Sequence, residues 1–120
     1  MRRALVIGAG GHCRVLLSLL AARGDHEVTG ILDLAEPRAD EIIMGIPVFD
    51  SVTGLEAYRG RVDLDIFLAI GDNEKRRACW QLANDLDLSL PSLISPQAVV
   101  DRHARLGRAN VVCARAFIGP

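Results

Sequence analysis

Short continuous apolar runs alternate along this chain with segments whose apolar residues recur every three or four positions. Residues 3–7 form the first run, closing on Leu5-Val6-Ile7, and residues 27–32 form the second. Between them Leu16, Leu17, Leu19 and Leu20 mark one face of a helix over residues 12–23, which Gly24 stops. Residues 35–45 mix charges with Pro37 and Gly45 and read as a loop, followed by a short extended piece at 46–49. Asp50 or Ser51 can cap a brief helix through Tyr58, ended by Gly60. Ile66-Phe67-Leu68-Ala69-Ile70 is the apolar centre of a strand over 64–70, of the kind buried on both faces of a parallel sheet. Gly71-Asp72-Asn73 then turns into a helix over 74–86, with Cys79, Leu82, Ala83 and Leu86 as its apolar stripe. Residues 90–94 read as a last strand. This alternation predicts an α/β domain over residues 1–95: a small Rossmann-like parallel sheet with right-handed crossovers.

The period then changes. Ile94, Val100, Leu106, Val112 and Ile118 recur every six residues, and small residues Ala98, Ala104, Asn110 and Ala116 sit two positions before the last four. A six-residue period fits neither a helix nor a simple strand. It fits a hexapeptide-repeat parallel β-helix, in which aliphatics stack inward and small residues allow corners. Residues 96–120 would then be the first coil of a truncated β-helix. A triangular coil takes about three hexapeptides, and one coil cannot cover its own inner face. The coil is therefore expected to continue past Pro120 or to be covered by a partner.

The chemistry sits where the first run stops. Gly8-Ala9-Gly10-Gly11-His12 joins a strand to a helix. Glycines there let a pyrophosphate approach the main chain, and the free amides and dipole of the helix start attract it. Asp33 ends the second run, where an acidic side chain can bond a ribose hydroxyl. The third glycine of a dinucleotide fingerprint is replaced by Cys13, so the match to a NAD site is incomplete. His12 reads either as a donor to the ligand or as a helix-starting residue. His26, in the turn before the second strand, reads as solvated.

Composition narrows the field. Half of the 120 residues are hydrophobic and 24% are charged, as in a folded soluble domain. A net charge of −1 and 4% aromatics give no basic face and few stacking rings, which argues against nucleic acid as a partner. Cys13, Cys79 and Cys113 show no zinc or redox-pair spacing, so no metal is expected. An odd cysteine count and an apolar start broken at Gly8 point to a reducing cytoplasm. No apolar stretch approaches the roughly 20 residues of a membrane span.

Three motifs, in order, carry a family resemblance. Gly8-Ala9-Gly10-Gly11-His12 resembles the glycine turn of bacterial sugar acetyltransferases of the sialic-acid O-acetyltransferase and UDP-4-amino-sugar N-acetyltransferase type. Ala69-Ile70-Gly71-Asp72-Asn73-Glu74-Lys75-Arg76 is similar to that family's second nucleotide-side loop, and Ile94-Ser95-Pro96-Gln97-Ala98-Val99-Val100 to the start of its β-helix. The resemblance implies a Rossmann-like domain that binds a UDP-sugar, a left-handed β-helix that forms a homotrimer, and acetyl-CoA as co-substrate bound between subunits. The implied UDP-sugar contacts are Gly8, Gly10, Gly11, His12, Asp33, Gly71, Asn73 and Arg76. Asn73 can offer donor and acceptor to a base or sugar, or simply cap its helix. Arg76 can meet a phosphate with its planar fork, or lie solvated beside Glu74 and Lys75. The family's catalytic histidine lies further along the β-helix; His103 falls too early, so this chain alone is expected to carry no catalytic residue and no transferase activity. Two rival readings stand beside this one: a NAD-binding domain of an oxidoreductase or redox sensor, and a non-catalytic assembly module.

Overall fold

The structure is a computed structural model that describes residues 1–113 and 115–120. Strand β1 (Arg2–Ile7) leads through helix α1 (Gly11–Arg23) to strand β2 (His26–Asp33). Strands β3 (Ile42–Ile43) and β4 (Ile46–Ser51) follow, then a 3₁₀ helix (Val52–Tyr58), strand β5 (Leu64–Leu68) and helix α2 (Asn73–Asp85). Four two-residue strands end the chain: β6 (Leu93–Ile94), β7 (Val99–Val100), β8 (Val111–Val112) and β9 (Phe117–Ile118).

The main sheet has the order β3-β4-β2-β1-β5. All its pairs are parallel except the β3–β4 hairpin at the edge. That hairpin lies partly in the segment expected to be a loop. Met44 at φ 49° and Gly45 at φ 82° make the turn, a backbone route that polarity alone does not reveal.

Successive side chains of β1 and β5 point to opposite faces, and each face is covered. Ala4, Val6 and Phe67 pack with Cys13, Leu16, Leu17, Leu19 and Leu20 of α1. Leu5, Ile7, Leu64, Ile66 and Leu68 pack with Cys79 and Ala83 of α2, with Leu86 just past its end and with Leu55. Cys13 is fully buried, and burial pushes its thiol up to about 11. The residue that spoils the dinucleotide fingerprint thus packs in the helix–sheet core.

The expected last strand over 90–94 does not join this sheet. One bridge between Asp65 and Ser89 forms, with the Ile66 amide donating to the Ser89 carbonyl at 2.8 Å. Pro91 then lacks the donor that would continue a ladder, and the chain leaves the sheet. Leu93–Ile94 pairs instead with Val111–Val112, and Val99–Val100 with Phe117–Ile118, both parallel and both across eighteen residues. Within these ladders Val112 is buried and Val100 and Ile118 are half-buried, whereas Val99 and Phe117 face outward. Leu106, expected on the inner face, is exposed and belongs to no strand.

The amino edge of the sheet holds an ionic cluster. Asp65 is only 4% exposed. Arg2 donates to both its oxygens, at 2.8 and 2.7 Å, and His26 Nε2 lies 2.7 Å from Oδ2. His26 is therefore not solvated; its side chain is 10% exposed and its ring stands edge-on to Phe67. Its other nitrogen lies 3.0 Å from Asp25, which also accepts from Arg23 at 2.7 Å. The Arg23 hydrogen bond is the main reason that the Asp25 carboxyl titrates at about 2. Burial alone would raise Asp65, but hydrogen bonds from Arg2, His26 and Ser89 outweigh it and hold that carboxyl below its ordinary range.

Both carboxylates thus bind protons less readily in the native state than in the unfolded chain. Their stabilisation is complete above an unfolded value of about 4 and is lost as pH falls through the lowered native values, about 2 for Asp25. Urea midpoints are expected to hold between pH 7 and pH 5 and to fall steeply below about pH 4. An unchanged midpoint at pH 2.5 would contradict this arrangement.

Candidate functional site at the carboxyl edge

The strand register brings the candidate residues to one edge. Ile7 pairs with Leu32 on one side and Leu68 on the other, and Asp33 pairs with Ser51. The turns after β1 and β5 therefore open side by side, with Asp33 one strand away. Strand β1 connects through α1 toward β2, whereas β5 lies on the other side of β1 and feeds α2 on the opposite face. The chain thus diverges between β1 and β5, the topological switch point at which open α/β sheets bind their ligands.

The glycines of the first turn differ in what they do. Gly8 has φ +113°, and a Cβ there would lie 2.3 Å from the Ala69 carbonyl oxygen. Its amide donates to the Leu32 carbonyl at 2.8 Å. Gly8 therefore lets three strand ends close together, and any ligand benefit follows from that. Gly10 and Gly11 are exposed, and a Cβ on either would meet nothing within 4 Å. Gly10 stands at the N-cap of α1, where no side chain caps the helix and no acidic residue occupies the first turn. The Cys13 amide turns back to the Gly10 carbonyl at 3.0 Å, and the Gly11 and His12 amides and the positive end of the dipole face an open ledge. His12 is exposed on the first turn beside them.

Across the ledge, Gly71 is exposed and open, and α2 begins. The cap of α2 is Asp72, not Asn73: its carboxylate accepts from the Lys75 amide at 2.9 Å. That leaves the Asn73 side chain, one residue into the helix and exposed, facing solvent at the helix start. Asp33 accepts from the Leu34 amide at 2.7 Å, which fixes its carboxylate at the edge. Arg76 is turned away: its guanidinium donates to the carbonyl of Ala109 in the C-terminal segment. Gly8, Gly10, Gly11, His12, Asp33, Gly71 and Asn73 thus share one edge, and Arg76 leaves it by one helical turn.

Two other features are relevant. His103 is exposed on the C-terminal segment and lies 3.3 Å from the Asp101 carboxylate. Among the described residues, no group of three His, Cys, Asp or Glu side chains is placed to hold a metal ion, and no helix is long and apolar enough to cross a membrane. The sequence reading missed Asp65, Arg108 and Trp80 as organisers. A carboxylate inside the apolar run 64–70 was the one available signal.

Comparison with known proteins places this geometry in a lineage. Residues 3–82 match the profile of the PglD N-terminal domain. Over 120 residues the chain is 32% identical to UDP-N-acetylbacillosamine N-acetyltransferase of Bacillus subtilis, covering 95% of this chain and 52% of that protein. Among solved structures, perosamine N-acetyltransferase from Caulobacter crescentus, a variant in complex with CoA and GDP-perosamine, superposes with a TM-score of 0.85 at 35% identity. It covers 97% of this chain and 53% of its own. The acetyltransferase domain of PglB from Neisseria gonorrhoeae, in complex with acetyl coenzyme A, gives a TM-score of 0.82 at 36% identity, covering 97% of this chain and 55% of its own. The chain spans about half the length of the curated relative it matches. The sequence match across the sheet and both helices, with the same fold at this identity, settles the lineage: this chain belongs to the PglD N-terminal domain family.

Proposed function

We propose that residues 1–95 bind the diphosphate of a nucleotide-activated sugar, a UDP-sugar first of all, at the ledge between β1 and β5. The observation that carries this reading is the pair of open glycine turns at the switch point, one at the uncapped start of a thirteen-residue helix. Gly10 and the Gly11 and His12 amides take the phosphates, with the His12 and Asn73 side chains as donors beside them. Asp33 takes a sugar hydroxyl. Gly8 and Gly71 shape the floor.

Residues 96–120 are the first coil of a left-handed parallel β-helix, whose ladder takes in Leu93–Ile94. The eighteen-residue pairing offset supports this, because three hexapeptides make one triangular coil. The whole protein is then a homotrimeric, cytoplasmic, acetyl-CoA-dependent sugar N-acetyltransferase. Acetyl transfer is assigned to the half of the relatives that this chain does not cover, and no residue described here is given a catalytic role. The nicotinamide and adaptor readings gain nothing from the relatives described above.

Titration calorimetry tests the ledge. UDP is expected to bind, and Gly10→Val to weaken it at least about tenfold, or ~1.4 kcal/mol. A Cβ at this position meets no protein atom within 4 Å, so the valine side chain projects into the space assigned to the ligand. Absence of heat with millimolar UDP and GDP, while the circular dichroism spectrum stays native, would remove the reading.

A further inference from the structure

Arg76, Trp80 and Asn84 fall four residues apart on α2 and so lie along one face of it. All three meet the same short piece of the C-terminal segment. Arg76 donates to the Ala109 carbonyl. The Arg108 guanidinium lies 5.5 Å from the centroid of the Trp80 ring and donates to Asn84 at 3.2 Å. Ala109 is buried with φ +60°, its amide donates to the Leu90 carbonyl at 3.0 Å, and Leu93 donates to the Asn110 carbonyl at 2.6 Å. Residues 108–110 are therefore fastened to α2 and, through Leu90 and Leu93, to the first ladder of the coil. The start of α2, one turn before Arg76, carries Asp72 and Asn73 at the ledge.

We propose that Arg76 is a positioning residue. With Trp80 and Asn84 it forms a seam that sets the place of the coil relative to the nucleotide ledge, and it is not a phosphate ligand. The proposal rests on the ledge reading for its functional meaning, but the seam itself is independent of any nucleotide. A helix is stiff along its axis, so a ligand that orders its first turn also orders the residues one and two turns on. The seam thus ties occupancy of the ledge to the placement of Ala109 and Leu93.

Amide exchange and UDP calorimetry on the whole chain test this together. Without nucleotide, Arg76→Met is expected to speed exchange at Ala109 and Leu93 by about tenfold while β1 and β5 amides keep their rates. Arg76→Lys restores part of the protection, since one ammonium can still reach a carbonyl. Arg108→Ala releases Trp80 and Asn84 from the segment side at an exposed position and gives the same local speeding. UDP affinity stays within about threefold of wild type in Arg76→Met, because no phosphate contact is lost. UDP slows exchange at Ala109 in the wild type and not in Arg76→Met. Unchanged nucleotide-free exchange in both Arg76→Met and Arg108→Ala would overturn the seam. So would a loss of UDP affinity beyond about tenfold in Arg76→Met, which would make Arg76 a phosphate ligand, or UDP binding that leaves Ala109 exchange unchanged in the wild type. Failure of UDP and GDP to bind any form would remove the ledge reading instead, and the nucleotide-free rates would still decide the seam.

Discussion

Gly8→Ala is expected to destabilise the domain by about 3 kcal/mol or more, enough to leave a domain of this size largely unfolded if its total stability is small. Two costs add. At φ +113° an alanine sits outside the regions open to L-residues, a strain of roughly 1–2 kcal/mol. Its Cβ would also lie 2.3 Å from the Ala69 carbonyl oxygen, a backbone atom that cannot rotate away. Relief requires β1 and β5 to part at their carboxyl ends, which lengthens the bond from the Ala69 amide to the Ile7 carbonyl, 2.8 Å in the native fold. Urea unfolding measures the loss directly. Gly10→Ala is the control: nothing lies within 4 Å of its Cβ, so its cost stays below about 1 kcal/mol. Equal losses for the two variants would mean that the first glycine turn is a uniform flexible loop and not a fixed junction of strand ends.

Asp65→Ala is expected to cost about 2–3 kcal/mol, because it strands a buried partner. Arg2 loses both of its carboxylate contacts, and His26, 90% hidden from solvent, loses the partner of its Nε2. Arg2 is half exposed and can turn to water, so most of the cost falls on His26 and on the space left beneath the sheet. Asp65→Asn separates charge from shape: it keeps an oxygen for one donor but presents an amide to the other, and should lose less. It should also blunt the fall in stability below about pH 4, since one of the depressed carboxyls is gone. A urea midpoint for Asp65→Ala within error of wild type would show that the cluster is a solvated decoration.

Much of this protein was legible in the amino-acid order because the information is local. The β1 run, the α1 stripe and Gly24 each report a conformation that the neighbouring residues impose, and each element forms where its periodicity places it. Gly24 takes the left-handed turn, φ 72°, that closes the helix onto Leu20. The candidate edge was legible for the same reason: a glycine turn between a strand and a helix is a short-range pattern, and parallel pairing brings two such turns together. Four of the five aliphatics in the six-residue period, Ile94, Val100, Val112 and Ile118, lie in the two short ladders that pair across eighteen residues.

Only the tertiary structure could decide the rest, because it depends on atoms far apart in the chain. Gly8 is required by a carbonyl sixty-one residues away, which no local pattern encodes. His26 looked solvated until folding carried it to Asp65 and Phe67. Residues 90–94 have the composition of a sheet strand, but Pro91 withholds a donor and the partner on offer is Val111–Val112. Arg76 stands in a motif that resembles a nucleotide-side loop, yet its long side chain can reach in either direction from one backbone position. Its direction was settled by where the C-terminal segment crosses α2, and that crossing is a property of the packed chain.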